Sequence, residues 1–408
     1  KTFYLFLISC LLLFSCSKME SIIPDPPVVI KPDMEVIWSH NVAIDSTEGF
    51  ITTPFIWNEN LIYSTYYYQE GNTIQSRNTK TGMLNWESND VRLGNKSINE
   101  FNYTVFGDEI IWENFNDLLN ISLHDGKILQ HERVIDAWMG PRCSIFNDFI
   151  YTTISDKSIQ QENDFLVRRN VNGGIWDTLT TISKEDGFTP FIYTPTGFVA
   201  PSGDSMLLFS VGKWNFQESK GQSDYYCLLL KDRSIKWRLK DWDKEATSVL
   251  YPVIYDRKVY FQGHHSIYCV DIQTGIEKWR FVMPNPLEDT KSCHLIIVDN
   301  KLYIKGKNYN TLRCLDPQTG NQIWANSDLG GGTEKLQYAN GMVMFTSHYY
   351  LCIINGTSGK TIWKKKSPNS NGDVNFNGWV PIEVNIKDSI IYACDKQKIM
   401  AIKMQKIE

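Results

Sequence analysis

The sequence predicts an all-β protein, an eight-bladed β-propeller whose blades are four-stranded antiparallel sheets. Three observations predict this fold. A segment ending in tryptophan recurs along the chain, the intervening residues alternate in polarity with period two, and Gly, Asn and Asp separate the runs. One such sheet cannot bury its apolar faces alone, so the repeats are expected to pack side by side in a ring.

The repeated segment reads as a strand, a tight turn and an outer strand that carries the tryptophan. It is clearest in YCVDIQTGIEKW and RCLDPQTGNQIW. The equivalent anchors lie 39 to 61 residues apart and are Trp86, Gln130, Trp176, Trp237, Trp279, Trp324 and Trp363. This spacing is close to the length of one four-stranded blade. Each tryptophan is expected to pack against the neighbouring blade and to donate its N–H there.

The turn inside the repeat has its own chemistry. Asp271 and Gly275 occupy equivalent places to Asp316 and Gly320 in the next unit. An Asp side chain accepts hydrogen bonds from backbone amides across a turn, and Gly adopts positive φ without steric cost. These residues lack the dense carboxylates of a calcium loop, so a structural turn is predicted.

The two ends of the chain predict how the ring closes. After Trp363 the pattern gives three strands, at 379–383, 389–394 and 399–404, and no fourth. At the other end a lone strand surrounds Trp38. If that strand completes the last sheet, no sheet edge between the ends stays open. Residues 36–408 are therefore expected to form a single propeller closed by its N-terminal strand.

The first sixteen residues have the features of a lipoprotein signal peptide. Residues 3–14 are almost wholly apolar but are too short to span a bilayer. The sequence Leu13-Phe14-Ser15-Cys16 resembles a bacterial lipobox, which implies a lipid anchor on Cys16. Residues 17–35 hold four prolines and are expected to form an extended tether. Ser17 after the cysteine, by resemblance to known sorting rules, favours the outer membrane, with the body facing the periplasm or the cell surface.

Composition excludes several classes of function. There are 41 Lys and Arg against 46 Asp and Glu, a formal charge of −5, which does not suit a nucleic-acid backbone. The nine cysteines include no Cys-x-x-Cys pair, so no zinc ribbon or thioredoxin-type site is expected. Cys227, Cys269 and Cys314 each stand ten residues before a tryptophan, which predicts reduced packing residues. We expect no metal and no cofactor.

The repeat resembles the PQQ-like, or quinoprotein-type, family. The pattern [AC]-[LV]-D-x-x-T-G-x-x-x-W is matched best at Cys269–Trp279 and Cys314–Trp324. Together with the lipoprotein signal and the tether, the eight units resemble the BamB family of outer-membrane assembly lipoproteins. That resemblance implies a non-enzymatic protein that docks a partner through loops. Quinone-dependent dehydrogenases use adjacent cysteines, and this chain has no Cys-Cys pair.

The candidate binding surface is the face on which the hairpins between second and third strands and the links between blades open, here called the hairpin face. Loops on a rigid scaffold are the usual place for binding. The hairpin Gly212–Asp224, expected to carry an inserted loop with Trp214 and Phe216 near its tip, accounts for most of the longest repeat gap. Aromatic and histidine residues are predicted on this face at Tyr66, Tyr67, Tyr68, Trp138, Trp214, Phe216, Trp242, His264, His265, Tyr309, His348 and Trp379.

The function expected from the sequence is that of a non-catalytic, monomeric, membrane-anchored scaffold for a protein partner, and the BamB resemblance implies a role in outer-membrane protein assembly. A surface lipoprotein that binds glycans or small ligands is the main alternative, because aromatic rims also stack on sugars. A quinoprotein dehydrogenase is a third, less favoured one. Contact with the membrane is expected through the lipid anchor alone.

Overall fold

The computed structural model describes residues 35–42, 50–51, 54–67, 71–88, 103–114, 117–133, 137–139, 143–156, 162–243, 252–285, 294–306, 310–327, 329–332, 335–368, 376, 382–395 and 397–404. The predicted signal peptide with Cys16, and the tether as far as residue 34, lie outside these residues. None of the residues described forms a helix that is long and apolar enough to cross a membrane.

The described residues form 35 strands in eight antiparallel sheets, each counted here as a blade. The first strand, β1 (Val36–Asn41), belongs to blade 8. Blades 1 to 4 contain, from the inside outward, β2 (Phe50–Ile51), β3 (Phe55–Trp57), β4 (Asn60–Tyr67), β5 (Gly71–Asn78) and β6 (Leu84–Ser88); β7 (Tyr103–Phe106), β8 (Glu109–Asn114), β9 (Asp117–Ser122) and β10 (Ile128–Arg133); β11 (Ala137–Met139), β12 (Ser144–Phe146), β13 (Phe149–Asp156), β14 (Asn163–Asn170) and β15 (Asp177–Ser183); and β16 (Thr189–Ile192), β17 (Thr196–Val199), β18 (Ser205–Asn215), β19 (Lys220–Leu229) and β20 (Ile235–Asp243).

Blades 5 to 8 repeat the same order with a single innermost strand each. They contain β21 (Val253–Tyr255), β22 (Lys258–Gln262), β23 (Ser266–Asp271) and β24 (Glu277–Val282); β25 (His294–Val298), β26 (Lys301–Lys305), β27 (Leu312–Leu315) and β28 (Gln322–Asn326); β29 (Gln337–Ala339), β30 (Met342–Thr346), β31 (Leu351–Asn355) and β32 (Thr361–Lys365); and β33 (Glu383–Asn385), β34 (Ile390–Cys394) and β35 (Lys398–Lys403), with β1 outermost. The predicted eight-bladed propeller of four-stranded blades is confirmed.

Ring closure follows the predicted route. β1 pairs antiparallel with β35, so the N-terminal strand completes the sheet that the C-terminal strands begin. The backbone N–H of Lys403 also donates to the carbonyl of Glu35, at 3.0 Å. Because the first and last described strands, β1 and β35, lie in one sheet, opening the ring requires breaking this ladder.

Every blade has a β-bulge at the same place, between its third strand and its outer strand. A bulge offsets the ladder by one residue and re-aims the next side chain. The residue just beyond the bulge on the outer strand is here called the Trp position. From blade 1 to blade 8 it is occupied by Trp86, Gln130, Thr180, Trp237, Trp279, Trp324, Trp363 and Trp38.

The assignment of Trp176 to this position was wrong. In blade 3 the ladder continues to the pair Arg168–Asp177, and the longer turn 171–176 follows, so Trp176 precedes β15. Its indole N–H donates to the Glu132 carboxylate of blade 2, at 2.6 Å. Trp176 therefore packs backward onto the preceding blade, which has Gln130 where six blades have tryptophan.

The tryptophans at the Trp position point forward to the next blade. Five of them donate the indole N–H to a backbone carbonyl there: Trp38 to Thr79 at 3.0 Å, Trp86 to Leu123 at 3.1 Å, Trp237 to Ile272 at 3.0 Å, Trp279 to Pro317 at 3.0 Å and Trp324 to Gly356 at 3.2 Å. Since Trp38 of blade 8 contacts blade 1, the same interaction joins the two ends of the ring.

The turn glycines give the indoles their space. Gly275 has φ +70°, and a Cβ placed on it would lie 2.7 Å from the Trp237 ring. Gly320 has φ +75° and meets the Trp279 ring at the same distance. In the turn before Gly275, Asp271 Oδ1 accepts the backbone N–H of Gln273 and of Thr274. Asp316 accepts the equivalent pair from Gln318 and Thr319.

The cysteines of the repeat pack beside the tryptophans. Cys227, Cys269 and Cys314 are directly opposite Trp237, Trp279 and Trp324 across the ladder. These cysteines are free and fully buried. Burial raises the pKa of the thiols, to about 12 for Cys227 and about 11 for Cys269. A thiol in this state is an apolar packing group and not a nucleophile.

Replacing Gly275 by Ala tests the contact between turn and indole. The variant must accept both a left-handed backbone, which costs an L-residue about 1–2 kcal/mol, and an overlap with Trp237. Gly341→Ala is the matched control, since Gly341 has φ +77° and a Cβ there would meet nothing within 4 Å. In urea unfolding we expect Gly275→Ala to lose about 1–3 kcal/mol more than Gly341→Ala. Equal losses would contradict the packing role.

Candidate binding surface

Half of the residues predicted on the hairpin face can be placed with their side chains. Tyr66 and Tyr67 lie on β4 and Trp138 lies on β11, but only their backbone is described. Tyr68, Tyr309 and Trp379 lie outside the described residues. The side chains that can be placed are Trp214, Phe216, Trp242, His264, His265 and His348.

The insertion Gly212–Asp224 is a hairpin, as predicted, and the inserted loop expected within it is limited to a short turn. β18 and β19 pair without interruption from Met206–Leu229 to Asn215–Lys220, and only residues 216–219 form the turn. β16 pairs with the end of β18 near the tip and so adds a third strand beside the hairpin. The added residues therefore lengthen blade 4 on the hairpin face instead of forming a separate loop.

The tip of this hairpin carries an exposed aromatic ring. Phe216 is 66% exposed, and its ring stands edge-on to Phe191 of β16, with 6.5 Å between ring centres. Trp214 lies two residues earlier within β18 and is half-buried. An exposed phenylalanine at the end of a paired hairpin presents apolar surface in a fixed position.

An ion-pair network beneath the tip stiffens the hairpin. The buried Lys213 ammonium lies 2.9 Å from Asp224 and 3.3 Å from Asp241. Arg238 of β20 donates Nε to Asp224 at 2.8 Å, and the backbone N–H of Asp241 donates to the same carboxylate at 2.9 Å. Although burial raises it, the pKa of Asp224 is held below its ordinary value by these hydrogen bonds.

The network extends to the link that precedes the blade. Glu185 lies 3.2 Å from both Arg238 and Lys240. The Arg238 guanidinium also covers the Tyr226 ring, 5.2 Å from its centre. Charged groups therefore tie β18, β19, β20 and the blade 3–4 link together. Sequence reasoning missed this network because Lys213, Asp224 and Asp241 read as the polar residues of a solvent-exposed loop.

The remaining predicted residues do not form one site. Trp242 is half-buried and packs edge-on against Phe261 and Tyr268 of blade 5, each at 5.0 Å, so it is a packing residue. His264 and His265 are adjacent, with ring centres 3.8 Å apart. His348 lies in blade 7, where its ring packs on Gly332. Because blade 6 stands between these hairpins, the structure does not bring the three histidines together.

Within the part of the chain that the structure describes, no group of three or more His, Cys, Asp or Glu side chains could hold a metal ion. A cleft of about 320 Å³ lies on the opposite face, between blades 8 and 1. Ile56, Val384 and Ile386 line it together with charged residues. Two of these, Lys80 and Glu59, pair with each other at 3.2 Å.

A buried carboxyl group lies between blades 2 and 3. Glu113 is fully buried, and its Oε1 accepts the Thr152 hydroxyl at 2.5 Å. Burial outweighs this hydrogen bond and raises the pKa of Glu113 to about 8. The side chain is therefore neutral at pH 7. The sequence places it in a strand but gives no sign of its burial.

Lys213→Met tests the network under the hairpin. Lys213→Met removes one of the two cationic partners of the buried Asp224 and leaves Arg238 in place, so the loss should approach but not exceed the roughly 3 kcal/mol expected when a buried charge loses its sole partner. Lys220→Met is the matched control, since Lys220 pairs with Glu218 in the exposed turn. We expect urea unfolding to show a large loss of stability for Lys213→Met and a far smaller one for Lys220→Met, because an exposed ion pair contributes little. A small loss in both variants would show that the buried charges do not hold the hairpin.

Glu113→Gln tests the buried carboxyl group. Its folded pKa, about 8, lies above the ordinary value of 4.5, so the folded state holds the proton more tightly. The contribution of the Glu113 carboxyl group to the free energy of unfolding is therefore fully present below pH 4.5 and is lost as the pH rises to about 8. The glutamine variant lacks this loss, so its stability relative to the native protein should rise by on the order of 2 kcal/mol between pH 5 and pH 7. The exposed control Glu59→Gln should show no such rise, and a parallel pH profile for Glu113→Gln would refute the assignment.

Comparison with known proteins supports the fold. Residues 263–406 match the family model described as "Outer membrane protein assembly factor BamB". None of the curated proteins matches the sequence. Among solved structures, the computationally designed protein Ika8 has TM-score 0.59 at 11% identity, over 89% of this chain and 98% of that one.

Two natural structures are similar in fold. The Dos1 propeller has TM-score 0.58 at 11% identity and covers 92% of this chain and 96% of that one. The dihydro-heme d1 dehydrogenase NirN has TM-score 0.52 at 11% identity, over 77% of this chain and 66% of that one. At such identity these likenesses bear on fold alone. The repeat, the closed ring and the match over residues 263–406 together support a β-propeller with PQQ-like repeats that resembles BamB.

Proposed function

We propose that this protein is a non-catalytic scaffold that is held at the outer membrane by a lipid on Cys16 and binds a protein partner through its hairpin face, in the assembly of outer-membrane proteins. The observation that carries the proposal is that the blade 4 hairpin is ordered and presents the exposed Phe216 ring at its tip. The match to the BamB model supports a role in protein–protein interaction, and the sequence features of residues 1–35 support the anchor.

The hairpin suits protein binding because it is already ordered. A flexible insertion would lose conformational entropy on binding, and that loss weakens affinity. Here ten backbone pairs from Met206–Leu229 to Asn215–Lys220 and the buried Lys213–Asp224 pair fix the shape beforehand. The favourable free energy of contacts at the tip is then not reduced by an entropy cost of ordering the hairpin.

The chemistry of the tip suits a protein partner. Phe216 offers an exposed ring, and Glu218 and Lys220 border it with an ion pair at 2.8 Å. An aromatic anchor inside a polar rim is the usual arrangement of an interface hot spot. A partner with an apolar pocket and polar edges would fit this surface.

Glycan binding is the second candidate function. Phe216 and Phe191 form an aromatic edge, and Tyr349 of blade 7 is 51% exposed. Sugars stack on exposed aromatic rings as apolar partners do. Retention on a polysaccharide gel that is lost in Phe216→Ala would favour this candidate.

Affinity purification from detergent-solubilised outer membranes tests the scaffold proposal. With the tagged full-length chain as bait, we expect β-barrel assembly components to be recovered. In Phe216→Ala their recovery should fall by about tenfold or more, as for loss of a hot-spot side chain.

The matched control is Ile276→Ala, since Ile276 is 63% exposed in a turn on the opposite face. Its recovery should equal that of the native bait. Recovery of the bait alone, or equal losses in the two variants, would overturn the proposed binding surface.

A further inference from the structure

The contact between blades 2 and 3 differs from the regular contacts because its Trp position holds Gln130. Trp176 enters from the turn of blade 3 and binds Glu132 through its indole N–H. Arg169 of β14 lies beside them, with the centre of its guanidinium 5.1 Å from the centre of the Trp176 ring. Polar and charged groups thus occupy a place that a tryptophan fills in six of the eight blades.

Arg169 is buried, with only 2% of its surface exposed. Its Nη1 pairs with the Glu132 carboxylate. Its Nε and Nη2 have no hydrogen-bond partner in the part of the chain that the structure describes. A buried charged donor left unpaired costs several kcal/mol, so these two N–H groups call for an acceptor.

The two unpaired groups lie on the same edge of the guanidinium. Nε–H and Nη2–H point in parallel, at the spacing of two oxygens of one carboxylate or phosphate. The geometry points to an oxyanion site at Arg169, in which a carboxylate or phosphate group accepts both N–H bonds of this edge. Glu132 holds the other end of the guanidinium and fixes its orientation.

The turn 171–176 covers the site. Gly173 and Gly174 have φ +107° and +116°, which other residues rarely adopt, and Ile175 is 93% exposed. Glycines give a turn conformational freedom, and no packing holds the Ile175 side chain. The side chain of Glu132 is 27% exposed, so the Arg169 pair borders solvent. We expect a ligand to enter by movement of this turn, which would leave the strands of the blade in place.

This site is independent of the proposed partner-binding hairpin. Arg169 belongs to β14 of blade 3, and Phe216 belongs to the tip of blade 4. Substitutions at one leave the contacts of the other in place. Failure of the scaffold proposal and failure of the oxyanion site can therefore be told apart.

Nitrogen-15 NMR of arginine side chains in the purified protein tests the site. The Arg169 Nε–H resonance is identified by its absence in Arg169→Lys, which keeps the positive charge but lacks the paired edge. Inorganic phosphate and acetate are titrated separately at constant ionic strength. We expect a saturable shift of this resonance with one of the two, and the effective probe distinguishes a phosphate from a carboxylate ligand.

Thermal unfolding provides the second measurement. The effective anion should raise the midpoint of the native protein, as any ligand of the folded state does, and should not raise that of Arg169→Lys. Arg233→Lys is the matched control, since Arg233 already donates to Thr178 and Asp177. It should keep the full rise.

The NMR measurement is made on the native protein and does not depend on the folding of Arg169→Lys. If that variant fails to fold, the resonance is instead assigned by its contact with the Trp176 ring. An Arg169 resonance that stays unmoved by both anions up to about 100 mM, well above the concentrations of typical ligands, would overturn the proposal. A midpoint that rises equally in Arg169→Lys would overturn it as well.

Discussion

The contact between an outer-strand indole and the turn of the next blade is the interaction on which this ring depends. It joins blade to blade through one N–H bond and one ring face, and both require the β-bulge that aims the tryptophan. Trp38 makes it across the junction of the chain ends, where its N–H donates to Thr79. Tyr392 donates its hydroxyl to the same carbonyl, at 3.0 Å, so the closing contact is reinforced from a second strand.

Where the tryptophan is missing, the neighbouring turn changes with it. Blade 3 has Thr180 at the Trp position. At this contact Arg233 of blade 4 donates hydrogen bonds back to Thr178 and Asp177 of blade 3. Blade 2 has Gln130, and Trp176 fills the space from the other side. Both replacements are polar, and in the contact between blades 2 and 3 the Nε and Nη2 groups of Arg169 have no hydrogen-bond partner among the described residues.

Local patterns were sufficient to predict the blade count, the tryptophan spacing and the closing strand. They failed where an insertion altered geometry without altering residue type. Trp176 ends a segment that looks like the others, but four extra residues in its turn move it off the outer strand. Lys213 and Asp224 read as loop residues because the sequence cannot show that their charges meet inside a hairpin. Trp242 and Phe216 are both aromatic, and only packing reveals that the first is enclosed and the second exposed.

Hydrogen exchange of the closing strand tests the ring most directly. If β1 completes blade 8, the amides of Val36–Asn41 that face β35 should be protected to about the same degree as those of Lys398–Lys403, because these groups share one ladder. The outward-facing amides of this edge strand should exchange faster. Exchange of every amide of Val36–Asn41 within seconds, while Lys398–Lys403 stays protected, would contradict closure by the N-terminal strand.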